Sequence, residues 1–165
     1  MMIEKTFPIT EKLIFDALQF TQELYQQLDL EADALKQTHN SDAIAKIAAN
    51  KKQLVAKLEL FNSQLSQILA TETLPNTQQG LKDYFNRAHA ANFSTEDAIK
   101  NWASVRTISA NSQDLNEQNG ASLDLLARHT KRSLQVLKGK SQFTNTYGPD
   151  GSEKNDTYTR SLSMA

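Results

Sequence analysis

Apolar residues recur three and four positions apart through three long stretches of the chain, the spacing that places them on one face of an α-helix. The first stretch covers about residues 10–37, and Pro8 and Thr10 are expected to mark its start. The second covers about 41–71 and the third about 95–138. Proline and glycine are scarce within all three. The pattern therefore predicts three long helices.

The second stretch follows a heptad pattern that is interrupted only at Lys51. Such a seam is typical of helices packed along their lengths at shallow angles. At Lys51 we expect the side chain to extend past the rim of the seam to solvent, and a specific ionic partner is the alternative. The apolar seam positions are Ile44, Ile47, Leu54, Leu58, Phe61, Leu65 and Ile68.

A short helix is predicted after the connector TETLPNTQQG, where it would cap one end of a bundle; its apolar positions are Leu81, Tyr84, Phe85 and Ala88. The sequence thus predicts an all-α fold, an elongated antiparallel helical hairpin or bundle of three long helices plus a short connecting helix, with a flexible C-terminal tail. We assign residues 1–140 to the helical domain and 141–165 to the tail.

The predicted helices differ in length. At 1.5 Å per residue the third would run about 66 Å, against about 42 to 45 Å for the first two. About 20 Å of the third helix is therefore expected to extend beyond the first two, to bend back or to find another partner. A bend would be cheapest at Gly120, since a glycine costs a helix about 1 kcal/mol relative to alanine. Close packing at Gly120 is the alternative.

The third predicted helix is polar before Gly120. The seam that starts at Trp102 and Val105 continues through Ser109, Ser112, Asn116 and Asn119. Buried asparagines in such seams fix the register of helices by bonding each other or a backbone carbonyl. Asn116, Asn119 and Gly120 are therefore candidate hinge or register residues.

After Gly120 the same helix becomes apolar along one stripe, and Leu125 and Val136 add apolar surface outside it. A helix that is apolar over more than one seam is either buried on several sides or kept for a partner, and the sequence leaves both open. The stripe consists of Leu123, Leu126, Thr130, Leu134 and Leu137.

Composition excludes several functions. The formal net charge of −1 gives no basic field for nucleic acid or an anionic membrane. Residues 1–35 hold seven acids and two bases, whereas 121–140 hold five bases and one acid; these ends either attract or are solvated helix faces. Cysteine is absent, and the longest apolar run near the start is too short for a signal peptide or a membrane span. We expect a cytoplasmic location and no membrane insertion.

No catalytic pattern stands out. His39, His89 and His129 lie in different predicted segments, without the spacing of a metal site. The chain has no glycine-rich phosphate loop, no nucleophile elbow and no cysteine nucleophile. We expect a protein that is not an enzyme and carries no cofactor.

The segment TYGPDG, residues 146–151, follows the last predicted helix. Pro149, Asp150 and Gly151 suit successive positions of a type I turn. Tyr147 beside this turn either packs back on the helical body or serves as a docking element.

Three marks in this order resemble the FlgN family of flagellar export chaperones. They are the Asn-x-x-Asn-Gly step at Asn116, Asn119 and Gly120, the run of Arg132, Leu134 and Leu137, and the TYGPDG motif. The resemblance is firm over about 95–151, looser over 52–69 and absent in residue detail from the first forty positions.

The resemblance implies a cytosolic chaperone that binds the C-terminal helix of the hook-filament junction proteins FlgK and FlgL and brings them to the type III export gate. It implies that the client-binding residues are those of the leucine stripe and that Tyr147 contacts the cytoplasmic domain of the gate protein FlhA. Family members often have bulky apolar residues directly after the Asn-Gly step, whereas Ala121 and Ser122 stand here. A self-associating coiled-coil or adaptor protein is the alternative, and weak self-association is compatible with both.

Overall fold

A computed structural model describes residues 2–37 and 40–137, except for the side chains of 125–127 and 129–137. It contains, within that part of the chain, four α-helices and no strand: α1 (Ile3–Leu35), α2 (Ser41–Thr71), α3 (Gln78–Ala90) and α4 (Glu96–Leu137). The prediction of an all-α fold with three long helices and a short connecting helix is confirmed. The chain divides into two units after Gly120, and the first contains α1, α2, α3 and the part of α4 up to Gly120. The domain boundary at residue 140 stays a prediction.

Helix α1 begins at Ile3, so the predicted start near residue 10 is wrong. Pro8 lies inside the helix, where a proline costs about 3 kcal/mol. Ile3 and Phe7 are only 1% and 2% exposed, and burying each contributes about 1.5 to 3 kcal/mol. Their burial outweighs the cost of the proline, which explains why the helix extends past the expected start.

Helices α1 and α2 form an antiparallel hairpin. The Thr6 hydroxyl donates to Glu72 Oε2 at 3.3 Å near one end, and Asn50 Nδ2 donates to Gln27 Oε1 at 3.2 Å nearer the other. The predicted heptad seam of α2 is confirmed by burial. Its fully buried members are Ile47, Leu54, Phe61 and Leu65.

The first part of α4 packs beside this hairpin within the first unit. The rings of Trp102 and Phe61 lie 6.1 Å apart, while Asn119 bonds to the backbone of Leu28. Asn116 also accepts a hydrogen bond from Lys51, so higher residue numbers on α4 meet lower numbers on α2. Helix α4 therefore runs parallel to α1 and antiparallel to α2 in this unit.

Helix α3 caps one end of the unit, as predicted. Leu81, Tyr84, Phe85 and Ala88 are buried in the same cluster as Phe7 and Ile14 of α1. The chain enters α3 through Thr77, whose hydroxyl accepts from the Gly80 amide at 3.0 Å. A Cβ at Gly80 would collide with the Pro75 carbonyl, so this tight connector requires glycine.

The phenol of Tyr84 is buried between α3 and α1. Its hydroxyl donates to Thr6 Oγ1 at 2.9 Å and lies 3.0 Å from Thr10 Oγ1. Burial raises the pKa of the Tyr84 hydroxyl above its ordinary value, because the phenolate would lose its hydration; the two threonine hydroxyls offset part of this. The nearby Glu72 carboxylate adds to the increase.

Tyr84 should make the fold sensitive to alkali. The unfolded chain loses a tyrosine proton near pH 10 while folded Tyr84 keeps its own, so stability should fall as the pH rises past about 10. Tyr84→Phe should lower stability at neutral pH by about 1 to 2 kcal/mol, because two threonine hydroxyls lose a partner, yet reduce the alkaline loss. Urea unfolding at about pH 8 and about pH 10.5 measures both effects. Tyr25→Phe, at an exposed position, is the control. An alkaline loss in Tyr84→Phe equal to that of the parent would contradict the assignment.

Candidate functional site

A polar cluster with a buried carboxylate at its centre joins α1, α2 and α4 near the end of the first unit. Lys51 Nζ donates to both carboxylate oxygens of Glu31, at 3.0 and 3.1 Å, and to Asn116 Oδ1 at 3.0 Å. Asn119 Nδ2 donates to Glu31 Oε1 at 3.0 Å and to the Leu28 carbonyl oxygen at 2.9 Å. We call the four side chains of Glu31, Lys51, Asn116 and Asn119 the polar clasp.

Lys51 has a specific ionic partner, so the expectation that it simply extends to solvent is wrong. The Glu31 side chain is 3% exposed and the Lys51 side chain 21%. Glu31 occupies a seam position of α1 that faces the seam of α2, and a buried carboxylate requires a cation and hydrogen-bond donors. The burial of Glu31 therefore determines the position of the Lys51 ammonium.

Glu31 is the residue that sequence reasoning missed. It lies on a three-and-four alternation that passes through the buried residues Ile14, Thr21 and Leu28, all within the range predicted for this helix. An acidic residue in a predicted apolar stripe, on the helix before the one that carries Lys51, is the signal that could have found it.

The polar seam of α4 is partly buried. Ser112 and Asn119 are each 4% exposed, whereas Ser109 and Asn116 are exposed. Asn119 makes the bond to a backbone carbonyl that is typical of a buried seam asparagine. Ser112 Oγ is buried without a hydrogen-bond partner. Packing between α4 and the hairpin is thus weaker here than around Trp102 and Val105.

Gly120 lies in a continuous helix with open space around it. A Cβ built on it would meet no atom within 4 Å, so close packing does not explain the glycine. Helix α4 keeps its helical backbone through this residue to Leu137. A hinge role for Gly120 stays a prediction.

The five positions of the leucine stripe lie on the helical backbone of α4. At about 100° per residue, their spacing of three and four places them within one arc of the helix. The Leu123 side chain is half-buried, and the side chains of the other four lie outside the described part. We call this set of positions the leucine face; it consists of Leu123, Leu126, Thr130, Leu134 and Leu137.

Helix α4 is longer than its neighbours, with 42 residues against 33 in α1 and 31 in α2. The difference is smaller than the sequence predicted, because α1 begins earlier. A projecting end of α4 stays a prediction.

The other predicted site residue, Tyr147, and the whole TYGPDG segment lie outside the described residues. Over the described part of the chain, no group of three or more His, Asp or Glu side chains could hold a metal ion. A search of the same residues finds no helix with the length and apolarity needed to cross a bilayer.

Comparison with protein families decides the identity. The family model described as FlgN protein matches residues 10–155. The chain belongs to the FlgN family. No curated protein and no solved structure matches it.

The FlgN match spans the polar clasp, the leucine face and TYGPDG, and it extends well before residue 95, where the resemblance of motifs was weaker. Membership of the FlgN family gives the chain the general role of a flagellar export chaperone, which binds flagellar proteins.

Proposed function

We propose that this FlgN-family chain is a cytoplasmic chaperone for the hook-filament junction proteins FlgK and FlgL. It binds their C-terminal helices, prevents their premature association and delivers them to the type III export gate. The observation that carries the proposal is the family match over residues 10–155.

The leucine face is the proposed binding surface for the client helix. Its positions are spaced as an amphipathic helix requires in order to receive another helix along its length. Burying about four leucine side chains contributes several kcal/mol before ordering costs, which is enough for a dissociation constant of about 1 μM or lower. The helical backbone of α4 up to Leu137 supports this choice.

Titration with client peptides tests the proposal. A peptide of the C-terminal helix of FlgK, and one of FlgL, are added separately to the protein in a calorimeter. We expect dissociation constants of about 1 μM or lower, and no binding of scrambled peptides of the same composition. If neither peptide binds better than its scrambled control, the proposed clients are wrong.

Tyr147 is the proposed contact with the cytoplasmic domain of the export-gate protein FlhA. The resemblance to the family supports this role, as does the rigid turn that its neighbours predict. Tyr147→Ala should weaken FlhA binding by about 30-fold, the loss typical of an aromatic anchor worth about 2 kcal/mol. Binding of the FlgK peptide should stay unchanged. Surface plasmon resonance against both partners measures this.

Tyr158→Ala is the matched control, because it removes a second tyrosine from the same terminal segment. It should leave FlhA binding close to that of the parent. Equal losses of FlhA and FlgK binding in Tyr147→Ala would instead place the ring in the body of the protein.

A further inference from the structure

We propose that the polar clasp fixes the register of α4 on the hairpin of α1 and α2, and that this positioning, more than stability, is its contribution. The inference concerns the free chain and does not depend on which client it binds. Its basis is the arrangement of Glu31, Lys51, Asn116 and Asn119 across three helices.

The bonds of the clasp specify one alignment. Glu31 accepts from residues of both other helices, and Asn119 also donates to the backbone of α1. The Asn119 amide donates to both the Leu28 carbonyl and the Glu31 carboxylate. These two bonds fix the position of Asn119 along the axis of α1. Lys51 adds a second link, since it bonds α1 and α4 at once.

The seam positions of α4 just before the clasp contribute little that distinguishes one register from another. Ser109 and Ser112 are small and polar, and the Ser112 hydroxyl has no partner. A slip of α4 by one heptad, in one direction or the other, would put Ser112 or Leu126 opposite Glu31. Neither residue can replace the amide of Asn119, which can donate to two acceptors. The clasp therefore discriminates against the slips that a heptad seam otherwise permits.

A stabilising role alone explains the clasp poorly. Glu31 is almost fully buried, and the desolvation of a buried ion pair usually cancels most of its attraction. Apolar side chains of similar volume at such positions are often equally stable or more stable. A polar residue buried in a seam is best attested as a device that selects register. The clasp lies directly before Gly120, at the end of the first unit.

Distance measurements between two spin labels test the inference. The chain has no cysteine, so Glu11→Cys and Asp114→Cys, both at exposed positions, take labels without side reactions. Glu11 lies in the first half of α1, and Asp114 lies close to the clasp on α4. Because the two sites are far apart along the hairpin, a slip of α4 by one heptad changes their separation by about 10 Å.

The test variant replaces the clasp with apolar residues through Glu31→Met, Lys51→Met and Asn119→Leu. We expect the labelled parent to show one distance and the triple variant to show a second population displaced by about 10 Å, while its melting temperature stays within a few degrees of the parent. Thr21→Val is the control, because this buried hydroxyl bonds only the Leu18 carbonyl of its own helix. It should keep the single distance.

A triple variant that folds and keeps only the parental distance overturns the proposal. If the triple variant does not fold, Asn119→Leu alone decides the question, since Glu31 keeps its bond to Lys51 there. A second distance in Asn119→Leu supports the register role, and the parental distance alone overturns it.

Discussion

Replacing Lys51 with methionine is expected to lower the free energy of unfolding by about 3 kcal/mol, the lower end of the range for breaking a buried ion pair. The Glu31 carboxylate is 3% exposed and would keep only the amide of Asn119 as a partner. An uncompensated buried charge of this kind is among the costliest single defects in a fold. Urea unfolding followed by circular dichroism measures the loss.

Two further variants separate the charge from the loss of packing. In a Glu31→Gln background, Lys51→Met should cost less than about 1.5 kcal/mol, because no buried charge remains unpaired. The double variant Glu31→Met with Lys51→Met should be close to the parent in stability. Equal costs of Lys51→Met with and without the Glu31 carboxylate would show that the ion pair does not control stability at this site.

Leu126→Asp combined with Leu134→Asp should weaken binding of the FlgK peptide by at least about 100-fold. Each substitution removes apolar contact area and introduces a charge that must be desolvated beneath the client helix. The two changes together oppose binding by about 3 kcal/mol or more. Calorimetric titration measures the affinity, and circular dichroism checks that the helix content is retained.

Ala121→Asp combined with Gln135→Asp is the matched control. It adds the same charge to the same helix, at positions that the helical spacing places away from the leucine face. The control should bind within about twofold of the parent, a difference of about 0.4 kcal/mol. If the leucine variant binds as well as this control, the client uses another surface.

Much of the fold follows from the sequence because its helices obey strong local rules. The bounds of α2 match the prediction, and those of α4 differ by one residue at each end. The predicted start of α1 was wrong because a proline near the beginning of an apolar pattern resembles the signal for a helix start. Burial of Ile3 and Phe7, a tertiary effect, overrides that local signal.

The polar clasp was predicted only in part. Asn116 and Asn119 stand out because asparagine is unusual in an apolar seam, whereas a glutamate near the end of a predicted helix is ordinarily assigned to solvent. Lys51 was recognised as an interruption, but its partner lies on another helix, 20 residues earlier. Periodicity predicts which face of a helix is buried and contains no information about which residues meet across helices.

The spacing of the leucine face is compatible with two different environments. A stripe buried in a protein's own core and a stripe offered to a partner have the same spacing. Its assignment to a client therefore comes from the family, and its test has to be made with the client present.

Leucine methyl spectra of the full chain, recorded with and without the C-terminal helix of FlgK, show directly which leucines receive the client. We expect the methyl signals of Leu123, Leu126, Leu134 and Leu137 to shift or broaden, while those of the core residues Leu54, Leu65 and Leu69 remain in place. Shifts confined to the core or to other leucines, with these four signals unchanged in the saturated complex, would contradict this expectation.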